Sequence, residues 1–251
     1  MASSEGSTKH VLLLAGSSEA RTLATALATW SHVRVTLSQL YKPRKEETFS
    51  GITRLGAFGG NEGFESFMKE AKVDAVLDAA HPFAVRVGAR ASRYCAKHGL
   101  PYARVLRPPW RPQPEDQWRE VRDEHAASAL LKPGQRIFTT TGLTSLPTLT
   151  SDDRVTFFVR RLREDPVPDM PRHVTFVHGE GPFSVEHEVA MFRDLKIDEL
   201  IVKNSGGMAS ATKLEAARKL GLPVMLIARP AQPEGRIFDN VQDALNWVAA
   251  L

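Results

Sequence analysis

The chain has 251 residues, of which 42% are hydrophobic and 25% are charged, a globular composition that excludes disordered, fibrous and collagen-like proteins. Its apolar runs reach only about five residues, too few for a transmembrane helix, and its single cysteine excludes an intrachain disulfide or a cysteine-rich metal site. The formal net charge of +4 is uneven, because residues 1–108 hold 15 Lys and Arg against 9 Asp and Glu, whereas the remainder holds 18 against 20.

Residues 1–9 are polar and contain no apolar stretch long enough for a secretory signal, so we expect a disordered tail on a cytoplasmic protein. From residue 10 the chain alternates short apolar runs with amphipathic stretches, a pattern typical of parallel strands joined by helices. In the first part of the chain, strands are predicted over 10–15, 33–38, 52–58, 75–80 and 102–107, and helices over 19–29, 64–71 and 84–97.

The segment 107–117 interrupts this pattern with four prolines in eleven residues, which neither a helix nor a central strand tolerates. We therefore predict a domain boundary, with one domain over 10–108 and a second over 109–251. In the second domain, strands are predicted over 136–141, 155–162, 174–177, 200–203 and 224–229, and helices over 123–131, 184–195, 210–220 and 240–250. The predicted fold class is α/β, with two Rossmann-like lobes, mostly parallel sheets and a cleft between them.

The turns that follow strands are the candidate sites, because ligands of open parallel sheets bind beyond the carboxyl ends of the strands. After the first strand, Gly16 precedes Ser17 and Ser18, and such a small-residue turn before a helix lets backbone N–H groups approach a phosphate. The three-glycine dinucleotide fingerprint is absent, and a plain tight turn with a serine cap is the alternative.

The residues after the second strand are basic. No acidic residue stands there to bind the ribose hydroxyls of NAD, whereas Lys42, Arg44 and Lys45 follow closely. Cations at this place suit a 2′-phosphate and favour NADP. A solvated basic loop is the alternative.

His81 is predicted between a buried strand and the next helix, on the side of the crevice. An imidazole there can donate a hydrogen bond, exchange a proton or contact a carboxylate. The alternative is a histidine that satisfies backbone groups at the start of the helix. No H-x-H or H-E-x-x-H pattern accompanies it, and we predict no metal site.

The second domain offers two further turns of this kind. Lys203 ends a predicted strand and is followed by Ser205 and Gly206, a combination that can cradle an anion. Thr140 and Thr141 follow another strand in the same way. Each of these turns alone can be explained as an ordinary turn. That such turns recur in both domains is harder to explain in this way.

No dedicated catalytic apparatus is visible in the sequence. There is no G-x-S-x-G nucleophile elbow, and Cys95 falls within a predicted helix, where burial is expected. The four tryptophans do not alternate with basic residues as they would in a nucleic-acid stacking platform. This pattern favours a redox enzyme whose cofactor carries the hydride.

In their order along the chain, these turns resemble those of the precorrin-6A reductase family, the NADPH-dependent reductases of cobalamin biosynthesis. The resemblance extends from about residue 10 to residue 240, and the His-Pro-Phe and Lys-Asn-Ser-Gly-Gly turns are its most specific motifs. Ala80 stands where the family has threonine, and Leu143 where it often has arginine. The matching segments are LLLAGSSEARTLA (12–24), LDAAHPFA (77–84), RPPW (107–110), TTTG (139–142), GPFS (181–184) and IVKNSGGMASATKLEAARKLGLPVMLIARP (201–230).

The resemblance implies an NADPH-dependent oxidoreductase that reduces the macrocycle of precorrin-6A to precorrin-6B, with cofactor and tetrapyrrole in the cleft between the lobes. It assigns NADPH to the domain 10–108. The implied site residues are, for the pyrophosphate, Gly16, Ser17 and Ser18; for the 2′-phosphate, Lys42 or Arg44; for catalysis, His81 and Lys203; and for substrate binding, Thr140, Thr141, Ser205 and Gly206.

The expected partner is a polycarboxylate tetrapyrrole, together with other enzymes of the corrin pathway, and neither nucleic acid nor a membrane. Two alternatives remain close: a reductase of the cobalt-containing precorrin-6A, and a non-catalytic NADP-sensing module. A corrin-pathway methyltransferase would also be α/β but would bind S-adenosylmethionine. A short-chain oxidoreductase would need a Tyr-x-x-x-Lys pair on a helix, and Pro43 breaks the one such pair, Tyr41 with Lys45.

Overall fold

The computed structural model describes residues 8–42, 49, 51–162 and 169–251. Residues 1–7 of the predicted tail lie outside this range, and Lys9 already belongs to a strand. Up to the proline-rich segment the elements are β1 (Lys9–Ala15), α1 (Ser18–Leu27), β2 (Val33–Gln39), β3 (Ile52–Leu55), α2 (Gly60–Glu70), β4 (Ala75–Ala79), α3 (Val85–His98) and β5 (Tyr102–Val105). Beyond it they are β6 (Trp118–Val121), α4 (Glu124–Ser128), β7 (Arg136–Thr139), α5 (Leu146–Leu149), β8 (Thr156–Arg161), β9 (Val174–His178), α6 (Val185–Asp194), β10 (Glu199–Lys203), α7 (Thr212–Leu220), β11 (Val224–Ile227), β12 (Arg236–Phe238) and α8 (Val241–Ala249).

The chain forms two compact units, the first from residues 1–107 and 230–251 and the second from residues 108–229. In the first unit, six parallel strands follow the order β12-β5-β4-β1-β2-β3. The chain leaves β1 toward β2 and returns to β4 on its other side. The exits of β1 and β4 therefore flank the point where the strand order reverses, the usual ligand position in such sheets.

Alternate side chains of β1 point to opposite faces of the sheet, and helices cover both faces. Leu13 belongs to the buried cluster that contains Leu23 of α1 and Val248 of α8. Leu12 belongs to the other cluster, which contains Phe64 of α2. A strand buried on both faces is why the sequence of β1 is an uninterrupted apolar run.

The second unit repeats this architecture. Its six parallel strands follow the order β6-β11-β10-β7-β8-β9. Phe138 of β7 and Leu200 of β10 pack in a buried cluster with Phe192 of α6 and Leu214 of α7. The exits of β7 and β10 occupy here the position that the exits of β1 and β4 occupy in the first unit. The α/β class and the two parallel sheets are as predicted.

The division of the chain differs from the predicted domains at one end. The first boundary lies at residue 108, close to the prediction, but residues 230–251 belong to the first unit. The reason is that β12 pairs with β5 and that α8 buries Ala244 and Val248 in the cluster of the first unit. Conversely, β6 follows β5 in the sequence but pairs with β11. The first sheet thus takes its sixth strand, β12, from the end of the chain, whereas the six strands of the second sheet, β6 to β11, are consecutive in the sequence.

Within the described part of the chain, no helix combines the length and the apolar character that crossing a bilayer would require.

Candidate active site

In the first unit, the turn from β1 to α1 lies against the exit of β4. A Cβ atom added to Gly16 would lie 2.9 Å from the backbone nitrogen of His81. Ser17 caps α1, since its hydroxyl oxygen accepts a hydrogen bond from the N–H of Ala20 at 3.3 Å, and it donates to the carbonyl of Ala79 at 2.8 Å. The structure therefore brings Gly16, Ser17 and His81 together where the strand order reverses.

The serine side chains of this turn are engaged within the protein. The Ser17 hydroxyl bonds on both sides, as above, and the exposed Ser18 hydroxyl donates to Glu19 at 3.1 Å. Glu19 in turn pairs with Arg107 at 2.8 Å. Burial raises the pKa of Glu19, but a hydrogen bond from its own N–H and the charge of Arg107 outweigh burial and lower it. The groups best suited to a phosphate here are the backbone N–H groups in the first turn of α1.

The end of β2 is only partly described. Lys42 is exposed, and the residues from Gln39 to Lys42 include no carboxylate. Arg44, the other predicted contact of a 2′-phosphate, lies outside the described residues. The described part of this turn is thus compatible with a phosphate and offers no acidic partner for ribose hydroxyls.

His81 is half-buried directly after β4. Its Nδ1 accepts a hydrogen bond from the N–H of Phe83 at 3.2 Å, and its carbonyl accepts one from the N–H of Ala84 at 2.7 Å. Because Nδ1 is an acceptor, the proton of the neutral ring resides on Nε2. The ring thus supports the backbone of the turn, as the alternative interpretation held, and in this tautomer Nε2 carries the proton.

In the second unit, Lys203 at the end of β10 is bound by three acceptors. Its Nζ donates to the carbonyl of Thr141 at 3.1 Å and to the hydroxyl of Ser145 at 2.8 Å, and it pairs with Glu124 at 3.0 Å. These contacts join the exits of β7 and β10 to α4. The structure thus brings Lys203 and Thr141 together, and it shows Lys203 as a bridge between turns.

The pair of Lys203 with Glu124 predicts a pH dependence of stability. Burial raises the pKa of Glu124, but hydrogen bonds from Ser145 and Lys203 outweigh it, so that the pKa lies below its usual 4.5. The carboxylate therefore stabilises the fold above pH 4.5, and this contribution is lost as the pH falls through the pKa of the folded state. We expect Glu124→Gln to lower the free energy of unfolding by about 1 kcal/mol at neutral pH.

Urea denaturation at several pH values measures this effect. The wild type and the variant should converge as the pH falls below 4.5. The exposed carboxylate of Glu120 on β6 provides a control, because Glu120→Gln should change the stability little at any pH. A difference between Glu124→Gln and wild type that persists undiminished in acid would contradict the prediction.

The turn after β10 is closely packed. Gly206 has φ +66° and is buried, and a Cβ atom there would lie 2.1 Å from the carbonyl oxygen of Pro108. The Asn204 side chain pairs with the backbone of Trp110, accepting from its N–H at 2.8 Å and donating to its carbonyl at 3.2 Å. Ser205 is buried beside them. The glycine-rich turn is therefore held by the proline-rich segment, a partner that the sequence analysis did not assign to it.

The threonines of the turn after β7 differ in their exposure to solvent. The hydroxyl of Thr141 is 3.0 Å from that of Thr139, and both residues are buried, whereas Thr140 is half-buried. Of the two predicted threonines, Thr140 is the more accessible. Glu124 and Ser145, which bind Lys203, were missed because an isolated Glu or Ser before a helix reads as an ordinary cap.

The chain is similar to known proteins over almost its whole length. Residues 10–249 match the family described as precorrin-6x reductase CbiJ/CobK. A precorrin-6A reductase of Mycobacterium tuberculosis is 38% identical over 96% of this chain and 98% of its own length. A cobalt-precorrin-6A reductase of Methanothermobacter thermautotrophicus is 28% identical over 95% of this chain and 83% of its own. The solved structure of a CobK precorrin-6A reductase superposes with a TM-score of 0.87 at 32% identity and covers 96% of both chains.

Proposed function

Because the chain belongs to the precorrin-6x reductase CbiJ/CobK family and acts as a precorrin-6A reductase in cobalamin biosynthesis, we propose that it reduces the metal-free macrocycle with NADPH. The choice of the metal-free substrate rests on the higher identity to the precorrin-6A reductase of M. tuberculosis, 38%, than to the cobalt-precorrin-6A reductase of M. thermautotrophicus, 28%. A reductase of this family needs a nicotinamide cofactor, and the choice of NADPH rests on residues of this chain. Contact with other enzymes of the pathway stays a prediction.

The first unit fits a dinucleotide. Its strand order reverses between β1 and β4, and Gly16 lets the turn after β1 pack against the backbone of His81, where even a methyl group would be too close. The pyrophosphate would lie at the N-terminus of α1, bound by the backbone N–H groups near Ser17 and Ser18. Lys42, at the end of β2, would contact the 2′-phosphate. This combination of reversed strand order and a small-residue turn at the N-terminus of α1 is the observation that carries the proposal.

When bound, NADPH supplies the hydride that reduces the macrocycle. In this proposal the proton donor is Nε2–H of His81, at the exit of β4, and the bond between its Nδ1 and the N–H of Phe83 orients the ring. A donor fixed in this way stabilises negative charge that develops on a nitrogen of the substrate and needs no reorganisation during the reaction. We assign this role to His81.

The second unit offers polar backbone and hydroxyl groups at the exits of β7 and β10. Thr140, Ser205 and Gly206 would bind carboxylates or ring nitrogens of the tetrapyrrole. Lys203 would act by holding the turn after β7, since its ammonium group already has three acceptors. We therefore propose Lys203 as a positioning residue.

The test is anaerobic incubation of the purified protein with precorrin-6A and NADPH, with cofactor absorbance and macrocycle spectrum followed together. We expect one NADPH oxidised for each macrocycle reduced, and slower turnover with cobalt-precorrin-6A. Faster turnover of the cobalt substrate would overturn the metal-free choice. Binding of NADPH without any oxidation would favour the NADP-sensing module instead.

Lys42 carries the preference for NADPH in this proposal. We expect Lys42→Ala to raise the KM for NADPH about two- to fivefold, corresponding to one exposed charge pair, and to leave the KM for NADH unchanged. Lys97, an exposed lysine in the last turn of α3, is the control, since Lys97→Ala should change neither value. An unchanged ratio of the two KM values in Lys42→Ala would remove Lys42 from the cofactor site.

A further inference from the structure

A fully buried ion pair lies beneath the turn that carries His81. Asp78 of β4 and Arg104 of β5 pair with both side chains at 0% exposure. The Tyr102 hydroxyl donates to the same carboxylate at 2.9 Å. Nothing in the reaction described above uses these groups, although they lie directly below its proposed proton donor.

The pair is bonded to the backbone on both sides of the peptide that joins Ala80 and His81. One oxygen of Asp78 accepts from the N–H of Ala80 at 2.9 Å. Arg104 reaches past the carboxylate and donates to the carbonyl of His81 at 3.3 Å. Each partner of the ion pair thus holds one residue of the turn, and the attraction between the partners fixes both residues relative to the sheet.

Helix α3 closes over this pair. A Cβ atom added to Gly88 would lie 2.3 Å from Oδ2 of Asp78 and 2.6 Å from Nη1 of Arg104, so only glycine fits at this position. Burial raises the pKa of Asp78, while Arg104, the N–H of Ala80 and the hydroxyl of Tyr102 act against burial. The groups that contact its oxygens are hydrogen-bond donors, and the arrangement fits the carboxylate.

A contribution to stability is by itself a weak explanation for the presence of a buried ion pair. Buried ion pairs often contribute no more to stability than apolar residues of the same size, because desolvation offsets the attraction between the charges. Their hydrogen bonds, by contrast, are directional and can fix a backbone. We propose that Asp78 and Arg104 are positioning residues that hold the His81 turn in the orientation that catalysis requires. This inference rests on the catalytic role of His81 proposed above.

The test replaces the pair by apolar residues of similar size. We expect the double variant Asp78→Leu with Arg104→Met to fold with a melting temperature about 5–15 °C below wild type, because the Tyr102 hydroxyl and two backbone groups lose their partners. Its kcat should fall at least about tenfold, because a displacement of about 1 Å suffices for such losses. A folded double variant whose kcat stays within twofold of wild type would overturn the proposal.

A milder pair of variants keeps the test decisive if the double variant fails to fold. Tyr102→Phe removes one hydrogen bond to Asp78, and Thr36→Val removes one to His10, which lies 2.8 Å away near the amino end of β1 in the same sheet. We expect Tyr102→Phe to lower kcat about threefold and Thr36→Val to leave it unchanged, although each lowers the melting temperature by about 2–4 °C through the loss of one hydrogen bond. Equal kcat values in the two variants would overturn the proposal.

The failure of this proposal is distinguishable from the failure of the proposed function. If His81→Ala retains the wild-type kcat, the role of His81 is wrong and the positioning proposal falls with it. If His81→Ala loses activity while the variants of the pair and of Tyr102 do not, the positioning proposal alone is wrong.

Discussion

Replacement of His81 by alanine is expected to lower kcat about 100-fold, the usual effect of removing one general acid, while the dissociation constant for NADPH changes less than threefold. The reason is that the two nitrogens of the His81 ring have different roles. Nδ1 supports the turn through Phe83, and Nε2–H is the donor that the reaction would use. Single-turnover kinetics under anaerobic conditions separate the reduction step from cofactor binding.

The variant His81→Asn separates the two functions of the ring. An asparagine oxygen can replace Nδ1 as the acceptor of the Phe83 N–H, so the turn should keep its shape, but nothing replaces Nε2. We expect His81→Asn to be as slow as His81→Ala. A rate close to wild type in His81→Asn would mean that His81 acts only by shaping the turn.

The sequence predicts best the elements that the sheet buries on both faces. Continuous apolar runs such as that of β1 strongly indicate a central parallel strand. The strands that the sequence analysis missed, β6 and β12, lie at the edges of their sheets and are largely exposed. Their short sequences, WREV and RIF, carry no periodicity, and only pairing with β11 and β5 makes them strands. The assignment of residues 230–251 failed for the same reason.

The candidate site, too, could be predicted from the sequence only in part. The rule that ligands bind beyond the carboxyl ends of strands selected the turns of Gly16, His81, Thr141 and Lys203 as candidates without any knowledge of contacts, and their binding roles stay predictions. It could not reveal that Lys203 binds Glu124, 79 positions earlier, since position along a strand says nothing about long-range partners. The role of Lys203 therefore changes from a proposed catalyst to a proposed bridge once its neighbours are known.

The largest effect on cofactor binding is expected from Gly16→Ala. The added methyl group would lie 2.9 Å from the nitrogen of His81 and 3.3 Å from Cα of Ala80, and backbone atoms, unlike the end of a flexible side chain, cannot move aside separately. The turns after β1 and β4 must therefore separate. We expect the KM for NADPH to rise at least about tenfold and the free energy of unfolding to fall by about 1–3 kcal/mol.

A second glycine of the same unit distinguishes this steric effect from a general loss of stability. Gly99 ends α3 with φ +66°, and a Cβ atom there would meet nothing within 4 Å. Asparagine tolerates this backbone conformation, so Gly99→Asn should leave the KM for NADPH unchanged even where it lowers the melting temperature. If Gly16→Ala also keeps the wild-type KM, the cofactor does not use the turn after β1. NADPH would then have to bind at a place other than the N-terminus of α1.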